Sequence, residues 1–171
     1  MITHTENKIK SLSQKSYDDF LEDIPFHKLL CSCGKVGHLI KHAYYTRTVK
    51  TPDSPVSIRI LRVICKRCGK THAIFPQVIV PYSQILINDH IDIIKTYIAN
   101  RSFEPIMMAN EYIDESNIRY IIRQFLRHWK ERIDAFHISI NETFSNIIIP
   151  CLEIFKKQFM QIKCTPNILS A

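Results

Sequence analysis

The spacing of apolar and polar positions changes character twice along this chain. Residues 43–49 (AYYTRTV) and 56–65 (VSIRILRVIC) are rich in β-branched and aromatic side chains and predict two strands. Between them KTPDSP predicts a turn, because its prolines and its Asp/Ser pair resist extension into a strand. Val56, Ile58 and Ile60 alternate with Ser57 and Arg59, which leaves one strand face wet. The alternation breaks at Leu61 and Arg62, and predicts either a bulge or burial on both faces there. Ahead of this hairpin, residues 1–25 read as a loose start and a short helix, with Tyr17, Phe20, Leu21 and Ile24 at helical spacing.

After the hairpin, Pro76 and Pro81 punctuate an extended connector, and from Ser83 onward the period becomes helical. Ile87, Ile91, Ile94 and Ile98 form the stripe of a first helix. Ser102 suits the N-cap of a short second helix holding Ile106 and Met107. Asp114 caps a third, with Ile113 and Ile118 placed as a hydrophobic staple and a stripe of Ile118, Ile121, Ile122, Phe125, Trp129 and Ile133. A last helical stretch, about 142–163, carries Phe144, Ile148, Leu152, Phe155 and Phe159, with Pro150 bending or restarting it.

The cysteines add chemistry to this pattern. Cys65-Lys-Arg-Cys68-Gly-Lys is a zinc-knuckle turn, which aims two thiolates at one point. Cys31-Ser-Cys33-Gly is its shorter counterpart on the other side of the hairpin. Of the three glycines in the chain, Gly34 and Gly69 directly follow Cys33 and Cys68, where a left-handed backbone is needed. Cys31, Cys33, Cys65 and Cys68 are therefore the expected ligands of one structural Zn²⁺, and a full set of four leaves no position for a substrate. Because the first pair is one residue short of CxxC, His38, His42 or His72 stays open as a replacement ligand. Cys151 and Cys164 stand alone and read as small buried hydrophobes.

Charge then points to a partner. The net charge is +7 and the pI about 9.1, but between Cys31 and Ala73 nine Lys and Arg face one acid, Asp53, so this module alone carries +8. Concentrated positive charge on a small module favours phosphate. The helix, short helix, turn, helix order is that of a helix-turn-helix. Its third helix offers Ser116, Asn117, Arg119, Tyr120, Arg123 and Arg127 for base edges, while Arg47, Arg59, Lys66 and Arg67 on the hairpin module suit the DNA backbone. Asp114 and Glu115 oppose phosphate at that helix start, and the solvated side of an ordinary bundle would show the same polar stripe. Dispersed acids without a pairing motif argue against a two-metal nuclease or transposase, so no enzyme activity and no small-molecule substrate are expected. No apolar run is long enough for a membrane span, and residues 1–16 lack a secretory h-region, so the expected location is the cytosol, at the nucleoid.

The stretch CSCGKVGHLIKHAYYTR…RILRVICKRCGKTHAIFPQVIVPYSQI resembles a family of small bacterial proteins associated with transposable elements, over about Cys31 to Ile85 and more weakly through QFMQIKCTPN. The resemblance implies a zinc ribbon followed by a helix-turn-helix, a CxC first knuckle, and an integrase-type transposase as neighbour and partner. The expected organisation is α+β: an N-terminal arm (1–25), a zinc-ribbon β-hairpin module (26–82), an all-α helix-turn-helix bundle (83–138) and a C-terminal helical segment (139–171). The expected function is binding of double-stranded DNA as an accessory factor of a transposable element. A transcriptional regulator and a zinc-stapled protein–protein adaptor are the alternatives. The apolar C-terminal segment, with Phe144, Ile147, Ile148, Ile149, Leu152, Phe155, Phe159 and Ile162, needs covering, by a homodimer partner or by the chain's own bundle.

Overall fold

The computed structural model describes residues 2–4, 9 and 11–135, with side-chain surroundings given for 9 and 11–127. The expected helix at 142–163, the lone Cys151 and Cys164 and the candidate dimerisation segment lie outside the described residues. The chain is mixed α+β and divides into two compact units, residues 1–84 and 85–171. No helix among the described residues is long and apolar enough to cross a membrane.

In the first unit, β2 (Leu39–Val49) and β3 (Val56–Cys65) form the predicted hairpin, in register from Val49↔Val56 beside the turn to Leu39↔Cys65 at the far end. Burial on both faces is present at Leu61 as one of the two expected alternatives, and the bulge lies in the partner strand rather than in β3. Pairing slips between Lys41 and Ala43, so that His42 is the extra residue of a bulge in β2. Burial meanwhile changes face along β3, from Ile58 and Ile60 to Leu61, Val63 and Cys65. The segment read as a connector is instead a strand, β4 (Thr71–Pro76), antiparallel to β3 through Arg62↔Ala73, Val63↔His72 and Ile64↔Thr71. The expected loose start contains β1 (Ile2–His4), parallel to β4, which completes a sheet of order β1-β4-β3-β2. Pro76 closes β4, as a residue without an N–H must sit at a strand end or edge.

The predicted first helix, α1 (Gln14–Glu22), starts on a Ser13/Ser16 capping box and buries Tyr17, Phe20 and Leu21. Tyr17 is also a polar stitch. Its hydroxyl accepts the Leu61 N–H at 2.9 Å and donates to the Ile74 carbonyl at 3.0 Å. It thus satisfies two backbone groups where β3 and β4 start to diverge, and burial raises its pKa well above the ordinary phenol value. The Gln14 amide oxygen accepts the Arg59 N–H at 2.8 Å, a second tie between α1 and β3.

The second unit holds α2 (Ile87–Asn100), α3 (Glu104–Ala109) and α4 (Glu115–Ala135). The buried face of α2 is Ile87, His90, Ile93 and Ile94, rotated from the expected Ile87, Ile91, Ile94, Ile98 stripe, because a neutral histidine packs inward. The N-cap of α3 is Phe103, one residue beyond the expected Ser102, because the helix starts at Glu104. The Ser102 hydroxyl accepts the Glu104 N–H at 3.3 Å from just outside it, and Pro105 sits in the first turn. At α4, the Asp114 carbonyl accepts the Asn117 and Ile118 N–H groups, and the staple residues Ile113 and Ile118 are both buried. Ile118, Ile121, Ile122 and Phe125 form the inward stripe as expected; the side chains of Trp129 and Ile133 lie outside the described set.

Two outcomes follow. Tyr17→Phe leaves a buried N–H and a buried carbonyl short of a partner, and should lower unfolding free energy by about 1–3 kcal/mol in urea titration. Burial pushes the His90 pKa from 6.5 down to about 3. Its folded value is depressed, so the stability it contributes is full above about pH 6.5 and is lost as pH falls toward the folded value. Between about pH 7.5 and pH 5 the wild type should lose about 2 kcal/mol more than His90→Leu, read by unfolding at both pH values. Burial raises the pKa of Asp89, which acts in the opposite direction.

Candidate metal centre

Two turns of the same design bring the four cysteines together. In the second, the Cys65 N–H donates to the Lys70 carbonyl and the Gly69 N–H to the Cys65 carbonyl, both at 2.9 Å. In the first, the Cys31 N–H donates to the Lys35 carbonyl and the Gly34 N–H to the Cys31 carbonyl, again at 2.9 Å. Both turns end in Cys-Gly-Lys, at 33–35 and 68–70, and each closes on the lysine carbonyl. The CxC spacing is therefore matched by a loop one residue shorter, and the closing hydrogen bonds are the same in both turns. Gly34 and Gly69 have φ of 78° and 70°, the left-handed region in which a Cβ is costly. Leu30↔Val36 bridges the base of the first turn, while β3 and β4 flank the second. The Lys66 N–H donates to the His38 carbonyl at 2.9 Å and ties one turn to the other.

The four Sγ atoms lie within 4.8 Å of one another, with Cys31–Cys68 at 3.6 Å and Cys33–Cys65 at 4.0 Å. Tetrahedral zinc with bonds of about 2.3 Å sets its sulfurs about 3.8 Å apart, so the donor set fits a metal ion of that kind. Cys31 and Cys65 are buried, Cys33 is half-buried and Cys68 is open. Burial pushes the Cys31 thiol up to about 11. The backbone N–H groups of Cys68 and Arg67 draw Cys65 down to about 7 against its burial. A bound cation would deprotonate all four, so metal loading releases protons and weakens in acid.

Among the three candidate replacement histidines, His38 and His42 are exposed. His72 is buried beside the cluster, with Nε2 at 3.3 Å from Cys31 Sγ. Burial lowers its pKa. With four thiols already convergent, His72 is placed to donate to the Cys31 thiolate rather than to replace it. Register in β4 sets this contact, and the repeated Cys-Gly-Lys was the available signal for the matched turns.

The candidate DNA contacts divide. Arg47 is corrected: its guanidinium donates to the Val80 carbonyl at 2.6 Å and to the Ser83 carbonyl, and lies 5.1 Å from the Phe75 ring centroid. It braces a turn and is withdrawn from phosphate. Arg59 is exposed over the Tyr44 ring at 5.2 Å, and Lys66 and Arg67 are exposed on the second knuckle, as are Lys35 and Lys70 around the cluster. On α4, Ser116, Arg119, Tyr120, Arg123 and Arg127 are exposed. Asn117 is half-buried and its amide donates to the Asp114 carboxylate at 3.1 Å. Arg119 pairs with Glu115 and stacks 4.5 Å from the Phe103 centroid. Among the candidate α4 residues, Ser116, Tyr120, Arg123 and Arg127 are thus left exposed.

A family model described as Domain of unknown function (DUF6431) matches residues 30–120, just over half of the chain, and includes all four cysteines. No curated protein and no solved structure matches.

Protein purified without added metal should contain one zinc per chain. Chelation, Cys65→Ser and Cys68→Ser should each remove it and melt the first unit, followed by elemental analysis and circular dichroism. His72→Gln should keep a full equivalent of zinc; loss of the metal in that variant would make His72 a ligand.

Proposed function

The chain belongs to the DUF6431 family, and we propose that it is a zinc-stabilised protein that binds double-stranded DNA. In this reading residues 26–82 are a zinc ribbon that grips phosphate, and residues 83–138 are a helix-turn-helix whose α4 reads base edges. The observation that carries it is the distribution of cations around the cysteine cluster. Residues 31–73 hold nine Lys and Arg against Asp53, with Lys35, Lys66, Arg67 and Lys70 exposed on the two knuckles. Zn²⁺ with four thiolates contributes −2, so the cations outnumber what the metal site itself needs: +8 becomes +6. Charge beyond local neutralisation supports a polyanionic partner.

The second support is α4. Its buried stripe is complete through Phe125, while Tyr120, Arg123 and Arg127 are exposed, and Arg is the side chain whose fork matches guanine edges. The role that suits the resemblance is that of an accessory factor to an integrase-type transposase, acting at the nucleoid, with a transcriptional regulator as the nearest alternative. No catalytic step is assigned, and no small-molecule substrate. One observation favours the adaptor reading: Leu30 and Val36, paired at the base of the first knuckle, are 58% and 50% exposed. An adaptor would use that apolar pair and shift no DNA fragment.

The two basic surfaces separate in a titration. Against its best duplex, selected from a random pool, Arg123→Ala should lose about 1–3 kcal/mol and blur sequence preference. Lys66→Ala should weaken all duplexes alike and reduce the salt slope by about one unit. If neither substitution alters any duplex affinity, the DNA reading fails and the adaptor reading replaces it.

A further inference from the structure

Residues 80–83 (VPYS) form a β-turn in which the Ser83 N–H donates to the Val80 carbonyl at 3.2 Å. Proline at the second position suits such a turn, and Tyr82 at the third has φ of 63°. A type II turn asks for glycine at that place, because a Cβ there crowds the backbone. The strain is not offset by packing. Tyr82 is 64% exposed, more than Tyr44 at 46% or Tyr120 at 40%.

The rest of the turn is held from several sides. Arg47 donates to the carbonyls of both Val80 and Ser83 and rests on Phe75. The Lys50 N–H donates to the Gln84 carbonyl at 2.8 Å, just after the turn, and Val80 and Pro81 are buried. Backbone strain persists only where the surroundings over-determine it, and it collects at contact sites. Here the outward product of that bracing is one bare aromatic ring.

We propose that Tyr82 is a stacking residue for a nucleobase. The proposal rests on the DNA-binding reading and adds to it a residue outside α4 and the knuckles. The partner class follows from charge. Residues 1–84 carry thirteen of the 23 Lys and Arg and six of the 16 acids, hence the whole +7 of the chain. A cationic body that displays an unpacked ring has the two elements of a base-stacking surface. A ring stacks only on a base that has left its duplex stack, or between steps it can wedge apart. The preferred ligand is therefore DNA with unpaired or kinked bases.

The test uses the full zinc-loaded chain, with a plain duplex and the same duplex carrying a short unpaired bubble. Tyr82→Gly relieves the strain and removes the ring, so it should raise Tm by about 4 °C and weaken bubble binding by about tenfold or more. Plain-duplex affinity should fall less. Tyr82→Phe should match wild type on both ligands. Unchanged bubble affinity in the glycine variant would leave the ring to a protein partner and overturn the proposal, as would a phenylalanine variant as weak as glycine. Wild-type protein that binds neither ligand would overturn the DNA reading as well, whereas duplex binding by the wild type with an indifferent Tyr82→Gly removes only this inference.

Discussion

Four sulfurs held within 4.8 Å of one another are the constraint on which the first unit turns. As thiolates without a cation, any pair of them would repel by about 4 kcal/mol at an effective dielectric of 20. With a divalent ion at the centre the same closeness would become the sulfur–sulfur edge of a tetrahedral site. Everything around the cluster is arranged to make those positions reachable. The left-handed Gly34 and Gly69 close the two turns, the Lys66 N–H joins one to the other, and Leu39↔Cys65 fixes the end of the hairpin that supports both. The core beneath packs Tyr17, Phe20 and Leu21 from α1 against Leu39, Ile58, Ile60, Leu61, Val63, Ile74 and Phe75 from the sheet, with Ile24, Leu29 and Ile79 at its margins and Cys31 and Cys65 within it. A core of that size leaves a metal staple with much of the work of stabilisation.

The same constraint organises the surface. Lysines in the two Cys-Gly-Lys turns close the backbone through their carbonyls while their side chains face water. Lys66 and Arg67 lie between the second pair of cysteines. Loss of the metal would free these turns and scatter the cations they carry. In the proposed DNA-binding reading, an ion held by these four cysteines would govern the binding surface without touching the ligand. The helical unit depends on different physics: an apolar stripe on α4, a staple at Ile113 and Ile118, and a buried neutral histidine in α2.

The hairpin, the cysteine set and the stripe of α4 were legible because each is written locally, in strand composition, in ligand spacing or in a 3.6-residue period. What was not legible depends on distant pairing. β4 carries its own apolar residues, but only its register with β3 makes it a strand, and the three residues of β1 have no pattern without β4 as a template. Arg47 counts as a surface cation in any sequence reading, and only the fold brings the carbonyls of Val80 and Ser83 to it. His90 reads as polar, so the pattern predicts Ile91 and Ile98 beside Ile87 and Ile94, where the fold buries His90 and Ile93 instead. His72 reached the cluster through the same β3–β4 register. The shortened first knuckle was an apparent irregularity that the one-residue-shorter loop explains.

X-ray absorption at the zinc edge of protein purified without added metal reads the metal shell of the four-cysteine site directly. Four sulfur neighbours at about 2.3 Å, with no nitrogen or oxygen, are the predicted result. A nitrogen in the first shell would displace one of Cys31, Cys33, Cys65 and Cys68 from the site. A folded protein with no zinc to measure would contradict the account outright.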